Sequence, residues 1–201
     1  FEERLSKEFE SVGFFISDHP LNQFKDIFED YKIIDFQSFN NNELTDGNIA
    51  ATLLKVQERK TAKGTAYAVL KLTDLTSVFE LFIFSDTLEL NREILKEGTS
   101  LIFTLMKSFS NDENRFRRIN VQKIASLKDV LNKPIKEVIF DVKSLKELDE
   151  ISKFLIKNGN TLVKIKLTDN DKDYDFELKN KRNIDRKTIN LLRNKEISAI
   201  I

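Results

Sequence analysis

Cysteine is absent from this chain of 201 residues, and histidine occurs once, at His19. Disulfide bonds and thiolate metal sites are therefore excluded, and a zinc site would have to be built from carboxylates alone, which is rare in proteins. Nothing in this composition indicates secretion, so we expect a cytoplasmic protein. We also expect no bound metal and no cofactor.

Glycine and proline are scarce as well, with 5 and 2 residues. Neither a P-loop nor a nucleophile-elbow motif occurs, and no other catalytic constellation is found. Apolar runs such as Leu81 to Phe84 are far shorter than the roughly 20 residues that span a bilayer. We therefore expect neither an active site nor a membrane span in these residues.

Charge is abundant but unevenly distributed. The chain holds 33 Lys and Arg against 33 Asp and Glu. Residues 1–45 carry 4 basic and 10 acidic residues, residues 46–127 carry 12 and 10, and residues 128–201 carry 17 and 13. Together with the changes in periodicity described below, this predicts three parts: a helical segment with a linker at 1–45, a domain at 46–127 and a domain at 134–201.

The first part has apolar residues at helical spacing, with a break at Gly13 and at His19-Pro20. A second helix is predicted after the break. Asp18 is the expected N-cap of that helix, since Pro20 suits an early helical position. We expect His19 to cap or to pack in the break.

The middle part changes to the alternating pattern of β-strands. The predicted strands cover residues 49–56, 66–72, 78–84, 101–106 and 117–124, and a helix covers 86–95. This order predicts an OB-fold, a five-stranded Greek-key β-barrel that often binds oligonucleotides through strands two and three and the loops one-two and four-five.

The last part has a predicted βαββα order, which indicates a small two-layer α+β domain. Its elements are a strand at 138–142, a helix at 145–156 closed by Asn158 and Gly159, strands at 162–167 and 174–178, and a helix from Asp185 to Leu192. The acidic run between Asp169 and Asp175 begins like a calcium loop. It lacks the glycine and the final glutamate of that motif, so a polar hairpin loop is expected. The whole chain is thus predicted to be an α+β multidomain protein.

Six of the twelve Lys and Arg residues in 46–127 lie in two short clusters. The clusters are Arg59, Lys60 and Lys63 in loop one-two, and Arg115, Arg117 and Arg118 beside loop four-five. Because these two loops converge in an OB-fold, we expect one cationic face that suits a polyanion.

Aromatic residues near these loops are candidates for stacking against bases. The candidates are Tyr67, Phe82 and Phe116. Phe82 and Phe84 point to one side of the third strand and Phe79 to the other. One of these two sets must belong to the core, and the pattern alone does not distinguish them.

Three stretches of the chain resemble the alpha subunits of bacterial DNA polymerase III. They are ESVGFFISDHPL from Glu10 to Leu21, VQERKTAKG from Val56 to Gly64 and LTDLTSVFELFIF from Leu72 to Phe84. Their order and spacing match the family over about residues 1–127. After residue 134 only the order of the elements matches.

The resemblance implies that the chain is a C-terminal piece of a replicative polymerase subunit, a nucleotidyltransferase. Since the catalytic carboxylates of the family lie upstream of Phe1, this piece is expected to be inactive alone. The OB domain would contact single-stranded template DNA, and the last domain would bind the tau subunit of the clamp loader, alongside other replisome subunits. The candidate docking residues are Lys179, Lys181, Arg182, Arg186 and Lys187.

Two other interpretations remain open. The OB and C-terminal units could both be protein-interaction modules whose basic loops hold an acidic partner. Alternatively, the OB unit could be a tRNA anticodon-binding domain, as in class II tRNA synthetases, although that family does not explain residues 1–45 or the part after Pro134.

Overall fold

A computed structural model describes residues 2–13, 15–108, 118–169 and 172–201. These residues form an α+β fold with two five-stranded sheets, which confirms the predicted class. The chain divides into two compact units, Phe1–Asn132 (unit 1) and Lys133–Ile201 (unit 2). Within the ranges just given, no helix has the length and apolar character needed to cross a membrane.

Unit 1 begins with three short helices. They are α1 (Glu2–Val12), a 3-10 helix (Pro20–Ile27) and α2 (Phe36–Asn41). The N-cap of the 3-10 helix is His19, whose Nδ1 accepts a hydrogen bond from Leu21 N at 3.1 Å. Asp18 instead accepts from His19 N at 2.7 Å, so the prediction that Asp18 is the cap is wrong. Because Pro20 has no N–H, Leu21 supplies the first free donor, and the adjacent His19 reaches it.

The rest of unit 1 is a mostly β structure. Its elements are β1 (Asp46–Lys60), β2 (Ala66–Thr73), β3 (Val78–Phe84), α3 (Ser85–Asn91), β4 (Ser100–Ser108), β5 (Arg118–Ser126) and α4 (Leu127–Asn132). The strand order is β3-β2-β1-β4-β5, and all neighbours are antiparallel. β1 is longer than predicted because its first half pairs with β4 and its second half with β2.

Both sides of β1 are covered, which explains its nearly continuous apolar run. On one side Ile49, Ala51 and Leu53 join the main core. On the other side the 3-10 helix and α4 form a second cluster, composed of Leu21, Phe24, Ile27, Ala50, Ile102, Leu127 and Val130. The N-terminal segment therefore packs directly on the sheet and belongs to the same unit.

The aromatic residues of β3 divide cleanly between core and solvent. Phe79 is 7% exposed and stacks on Phe36 of α2 with ring centroids 3.9 Å apart. Phe82 and Phe84 are 50% and 45% exposed. Burial of a phenylalanine is worth about 1.5–3 kcal/mol, so Phe79 holds the strand to the core while Phe82 and Phe84 face solvent.

Unit 2 has a second sheet with helices packed on one side. Its elements are β6 (Glu137–Val142), α5 (Leu145–Ser152), β7 (Ile156–Asp169), β8 (Lys172–Glu177), β9 (Arg182–Asn183), α6 (Arg186–Arg193) and β10 (Ser198–Ile200). The order is β10-β6-β7-β8, with β9 also paired to β7. β6 and β7 are parallel, and α5 connects them, since parallel neighbours need a crossover.

The predicted closure of α5 at Asn158 and Gly159 is wrong. α5 ends at Ser152, and both residues lie within β7. Gly159 has another role: a Cβ built there would lie 2.1 Å from main-chain atoms of Arg182 and Asn183 in β9. A side chain is excluded at this point because the two strands approach so closely.

Candidate nucleic-acid interface

One row of side chains crosses the outward face of unit 1. Arg59 of β1 lies directly opposite Tyr67 of β2, and Tyr67 lies opposite Phe84 of β3. Residues paired in this way share a face of the sheet. Arg118, at the start of β5, places its guanidinium carbon 5.2 Å from the centroid of the Phe84 ring. We call these four residues, Arg59, Tyr67, Phe84 and Arg118, the Arg-aromatic row.

The contact between Arg118 and Phe84 is a cation–π interaction between the two edge strands of the sheet. It brings the start of β5 beside the end of β3. As a result, one member of each predicted basic cluster, Arg59 and Arg118, lies in the same row. Arg115, Phe116 and Arg117 lie outside the described residues.

A second row runs beside the first. Phe82 of β3 lies opposite Val69 of β2, which lies opposite Gln57 of β1. Gln57 accepts a hydrogen bond from the Arg59 guanidinium at 2.8 Å, and this holds the arginine along the face. The two exposed phenylalanine rings of β3 are therefore flanked by polar and cationic side chains.

Lysines extend the same face. Lys55 of β1 and Lys71 of β2 are directly opposite each other, and both are exposed. Phe84, Lys55 and Lys71 were not among the predicted site residues. Strand parity could have identified Phe84, since it shares a side with Phe82, whereas the two lysines needed the register between β1 and β2.

The other residues of the first basic cluster lie at the tip of the hairpin. Lys60 pairs with Ala66 and therefore has the opposite parity to Arg59, and Lys63 lies in the turn itself. Both are exposed. The turn is closed by a hydrogen bond from Thr61 N to Thr65 O at 2.9 Å. Of the three clustered cations, only Arg59 is aligned with the aromatic rings.

A buried carboxylate fixes the turn that joins β2 to β3. Asp74 is 4% exposed and accepts hydrogen bonds from Thr76 N, Ser77 N and, through its other oxygen, Phe36 N, at 2.7–2.8 Å. The Asp74 carboxylate lies close enough to His19 to influence the pKa of its imidazole. Burial lowers the pKa of His19, and the carboxylates of Asp74 and Asp18 partly oppose that shift. The stretch that ends at Leu21 and the stretch that begins at Leu72 therefore meet at this turn.

No group of three or more His, Asp or Glu side chains that could hold a metal ion occurs in the part of the chain that the structure describes. Asp173 and Asp175 are exposed residues of β8, and Asp173 accepts a hydrogen bond from Thr168 Oγ1 at 2.8 Å. Asp171 lies outside the described residues. That the chain takes no cofactor stays a prediction.

The candidate docking residues of unit 2 differ in their surroundings. Lys179, Lys181 and Lys187 are exposed. Arg182 is half-buried, and its guanidinium donates to Asn180 O at 2.6 Å, so it stabilises its own loop. Arg186 is half-buried at the first position of α6.

Comparison with known proteins shows that this chain is similar to a short part of much longer proteins. It is 32% identical to the DNA polymerase III subunit alpha of Rickettsia felis over 162 residues, which is 76% of the chain. The resemblance to DNA polymerase III alpha subunits is thereby confirmed. The alpha subunit of Rickettsia conorii is 31% identical over the same length, and that of Rickettsia bellii is 35% identical over 125 residues, or 53% of the chain. The chain spans only 10–13% of the length of these relatives. No protein-family model matches it.

Proposed function

We propose that unit 1 contains an OB-fold that contacts single-stranded template DNA in a DNA polymerase III alpha subunit. The strand order β3-β2-β1-β4-β5 supports this fold, as does the long β1 that pairs on both sides. The close approach of β5 to β3 at Arg118 and Phe84 adds to that support. The family resemblance supports a cytoplasmic replication protein with other replisome subunits as partners. On this proposal, polymerase chemistry belongs to the longer protein, and the chain alone is inactive.

The Arg-aromatic row is the observation that carries the proposal. Exposed rings offer flat surfaces on which bases can stack, and each stacked base contributes about 1–3 kcal/mol. Arg59 and Arg118 stand at the two ends of the row, with Lys55 and Lys71 nearby, so cations are available for phosphates on both sides of the rings. Four phosphate contacts to a single strand predict that the logarithm of the affinity falls with the logarithm of salt concentration with a slope of about −3.

Fluorescence anisotropy with a labelled oligothymidine and the whole 201-residue chain tests this function. We expect binding at low salt that weakens as salt is raised. Phe84→Ala should reduce affinity about tenfold, because one stacking surface is lost. The matched control is Leu90→Ala on α3: Leu90 is 85% exposed and is not part of the row.

Absence of binding at low salt, or equal affinity for the Phe84→Ala variant and the wild type, would refute the DNA proposal. A preference for folded tRNA over oligothymidine would instead favour an anticodon-binding module. Capture of an acidic protein that Phe84→Ala does not weaken would favour a protein-interaction module.

We further propose that unit 2 docks on the tau subunit of the clamp loader. The support is the family resemblance together with the exposed cations Lys179, Lys181 and Lys187. Immobilised tau should retain the chain, and replacement of these three lysines by glutamate should weaken that retention. Undiminished retention of the triple variant would argue against these residues as the docking surface.

A further inference from the structure

β8 leaves one side of its main chain open. It pairs with β7 on one side, and no other strand of the described ranges pairs with its second side. All six residues from Lys172 to Glu177 are exposed. A strand edge of this kind presents N–H and C=O groups that can pair with an added strand.

The register identifies the groups that point outward. Leu178 N donates to Val163 O at 2.9 Å. Since hydrogen-bonded pairs alternate along an antiparallel ladder, Phe176 and Tyr174 also belong to bonded pairs with β7. The main-chain N–H and C=O groups of Asp173, Asp175 and Glu177 are therefore directed toward the open side.

An apolar strip lies along one face of this edge. Tyr174 pairs with Leu167, and Phe176 pairs with Ile165, so both rings are on the face that carries the core of unit 2. Leu167 and Ile165 are buried, but Tyr174 and Phe176 are 43% and 46% exposed. Their rings are nearly parallel, with centroids 6.3 Å apart. On the core face of the sheet, these two rings therefore remain exposed at the edge strand, whereas their neighbours on β7 are covered.

The other face of the edge is acidic. Asp173, Asp175 and Glu177 all point to that face, since they alternate with the aromatic residues. Behind these carboxylates, β7 contributes two lysines to the same face. Lys164 is paired in register with Glu177, but its ammonium bridges Glu137 on β6 at 3.1 Å, and the exposed Lys166 is paired in register with Asp175. An added strand would therefore have its residues on this face directly opposite carboxylates.

Charge complementarity defines the partner. Opposite charges directly across two strands are favourable and like charges are unfavourable, by roughly 0.2–1 kcal/mol a pair. A second copy joined through β8 with the same face upward would place carboxylates opposite carboxylates, which disfavours self-association. Apolar side chains of an added strand would cover Tyr174 and Phe176, and basic side chains would meet the acidic residues.

We propose that the open edge of β8 binds an extended segment of a partner protein in which basic and apolar residues alternate, by strand addition. The surface is composed of Asp173, Tyr174, Asp175, Phe176 and Glu177 and excludes the basic residues of the proposed tau-docking surface. Peptide binding at this edge therefore requires neither DNA binding by unit 1 nor docking of unit 2 on tau.

The test uses the whole chain and two labelled synthetic peptides, one alternating lysine with valine and the other alternating glutamate with valine. Fluorescence anisotropy should show binding of the lysine peptide only, weakened by salt. Asp175→Pro removes one outward N–H but leaves the bonded pairs with β7, and should reduce affinity at least tenfold. Asp175→Asn keeps the main chain and is the matched control, with a loss of threefold or less.

Equal binding of the glutamate peptide, or undiminished binding by Asp175→Pro, would overturn the proposal. If the proline variant does not fold, amide hydrogen exchange of the wild-type chain, measured with and without the lysine peptide, tests the same surface. The lysine peptide should slow exchange at the amides of Asp173, Asp175 and Glu177. Slowed exchange elsewhere in the chain, with these three amides unchanged, would also overturn it.

Discussion

Replacement of Lys107 by methionine should destabilise unit 1 more than any change on its outward face. Lys107 lies in β4 and is only 3% exposed. Its ammonium donates to the carbonyl oxygens of Phe39, Asn40 and Asn42, the last two at 3.2 and 2.8 Å. It also lies 4.6 Å from the centroid of the Phe39 ring. These carbonyls end α2, where helices leave acceptors unsatisfied and favour a positive charge.

The size of the destabilisation depends on which of the three carbonyl oxygens can accept a hydrogen bond from water once the ammonium is removed. The Phe39 carbonyl is bonded in a buried position, whereas the bonds to Asn40 and Asn42 are partly exposed. A hydrogen bond from a charged group contributes about 1.5–3 kcal/mol, and an orphaned buried acceptor costs about 1–3 kcal/mol. Methionine keeps the length of the side chain without the donor. We therefore expect a loss of about 2–4 kcal/mol in the free energy of unfolding of unit 1, or roughly 10 °C in Tm.

A urea titration followed by NMR suits a chain with two units, because amides of β1 and β4 report unit 1 while amides of β6 and β7 serve as an internal reference. Lys123→Met is the matched control: Lys123 is exposed on the neighbouring strand β5. It should change the free energy of unfolding by less than about 0.5 kcal/mol. If Lys107→Met also changes the free energy of unfolding by less than about 0.5 kcal/mol, the lysine does not stabilise the end of α2.

Two further predictions concern His19 and Gly159. Because burial lowers the pKa of His19, protonation opposes folding: the stabilisation is present above the ordinary pKa of about 6.5 and is lost as pH falls through the lowered value. His19→Asn keeps an acceptor for the cap and should remove this pH dependence of unit 1. An NMR midpoint for His19 at or above 6.5 would contradict this. Gly159→Ala should destabilise unit 2 by about 1–3 kcal/mol, because its Cβ would clash with the main chain of β9. An unchanged urea midpoint for unit 2 would contradict the proposed steric role.

Its content of β-branched and aromatic residues made β3 predictable to the residue, from Val78 to Phe84. Elements with few residues were missed: β9 has 2 residues, β10 has 3 and α4 has 6. Such short segments contain too little of a period to be recognised, and β9 and β10 exist because distant strands supply hydrogen bonds. The end of α5 was misplaced for a related reason. Gly159 resembled a helix terminator, yet its role depends on a strand more than 20 residues away.

The candidate site was predictable in part. Arg59, Tyr67 and Phe82 were expected from loop position and residue type, and the structure places them together on the outward face. Phe84, Lys55 and Lys71 lie on the same face and were missed. Their assignment needs the register of three strands, which is determined by contacts between residues far apart in the chain.

The amino-acid sequence by itself determined the kinds and order of most elements, the absence of cysteine chemistry and the resemblance to polymerase III alpha subunits. The tertiary structure alone decided which side of each strand is buried. Alternation separates Phe79 from Phe82 and Phe84, but only the packing of Phe36 against Phe79 turns one set inward. Likewise, Lys71 and Lys107 are both strand lysines. Lys71 faces solvent beside the aromatic rings, whereas Lys107 is buried because the end of α2 brings three carbonyl oxygens to its ammonium.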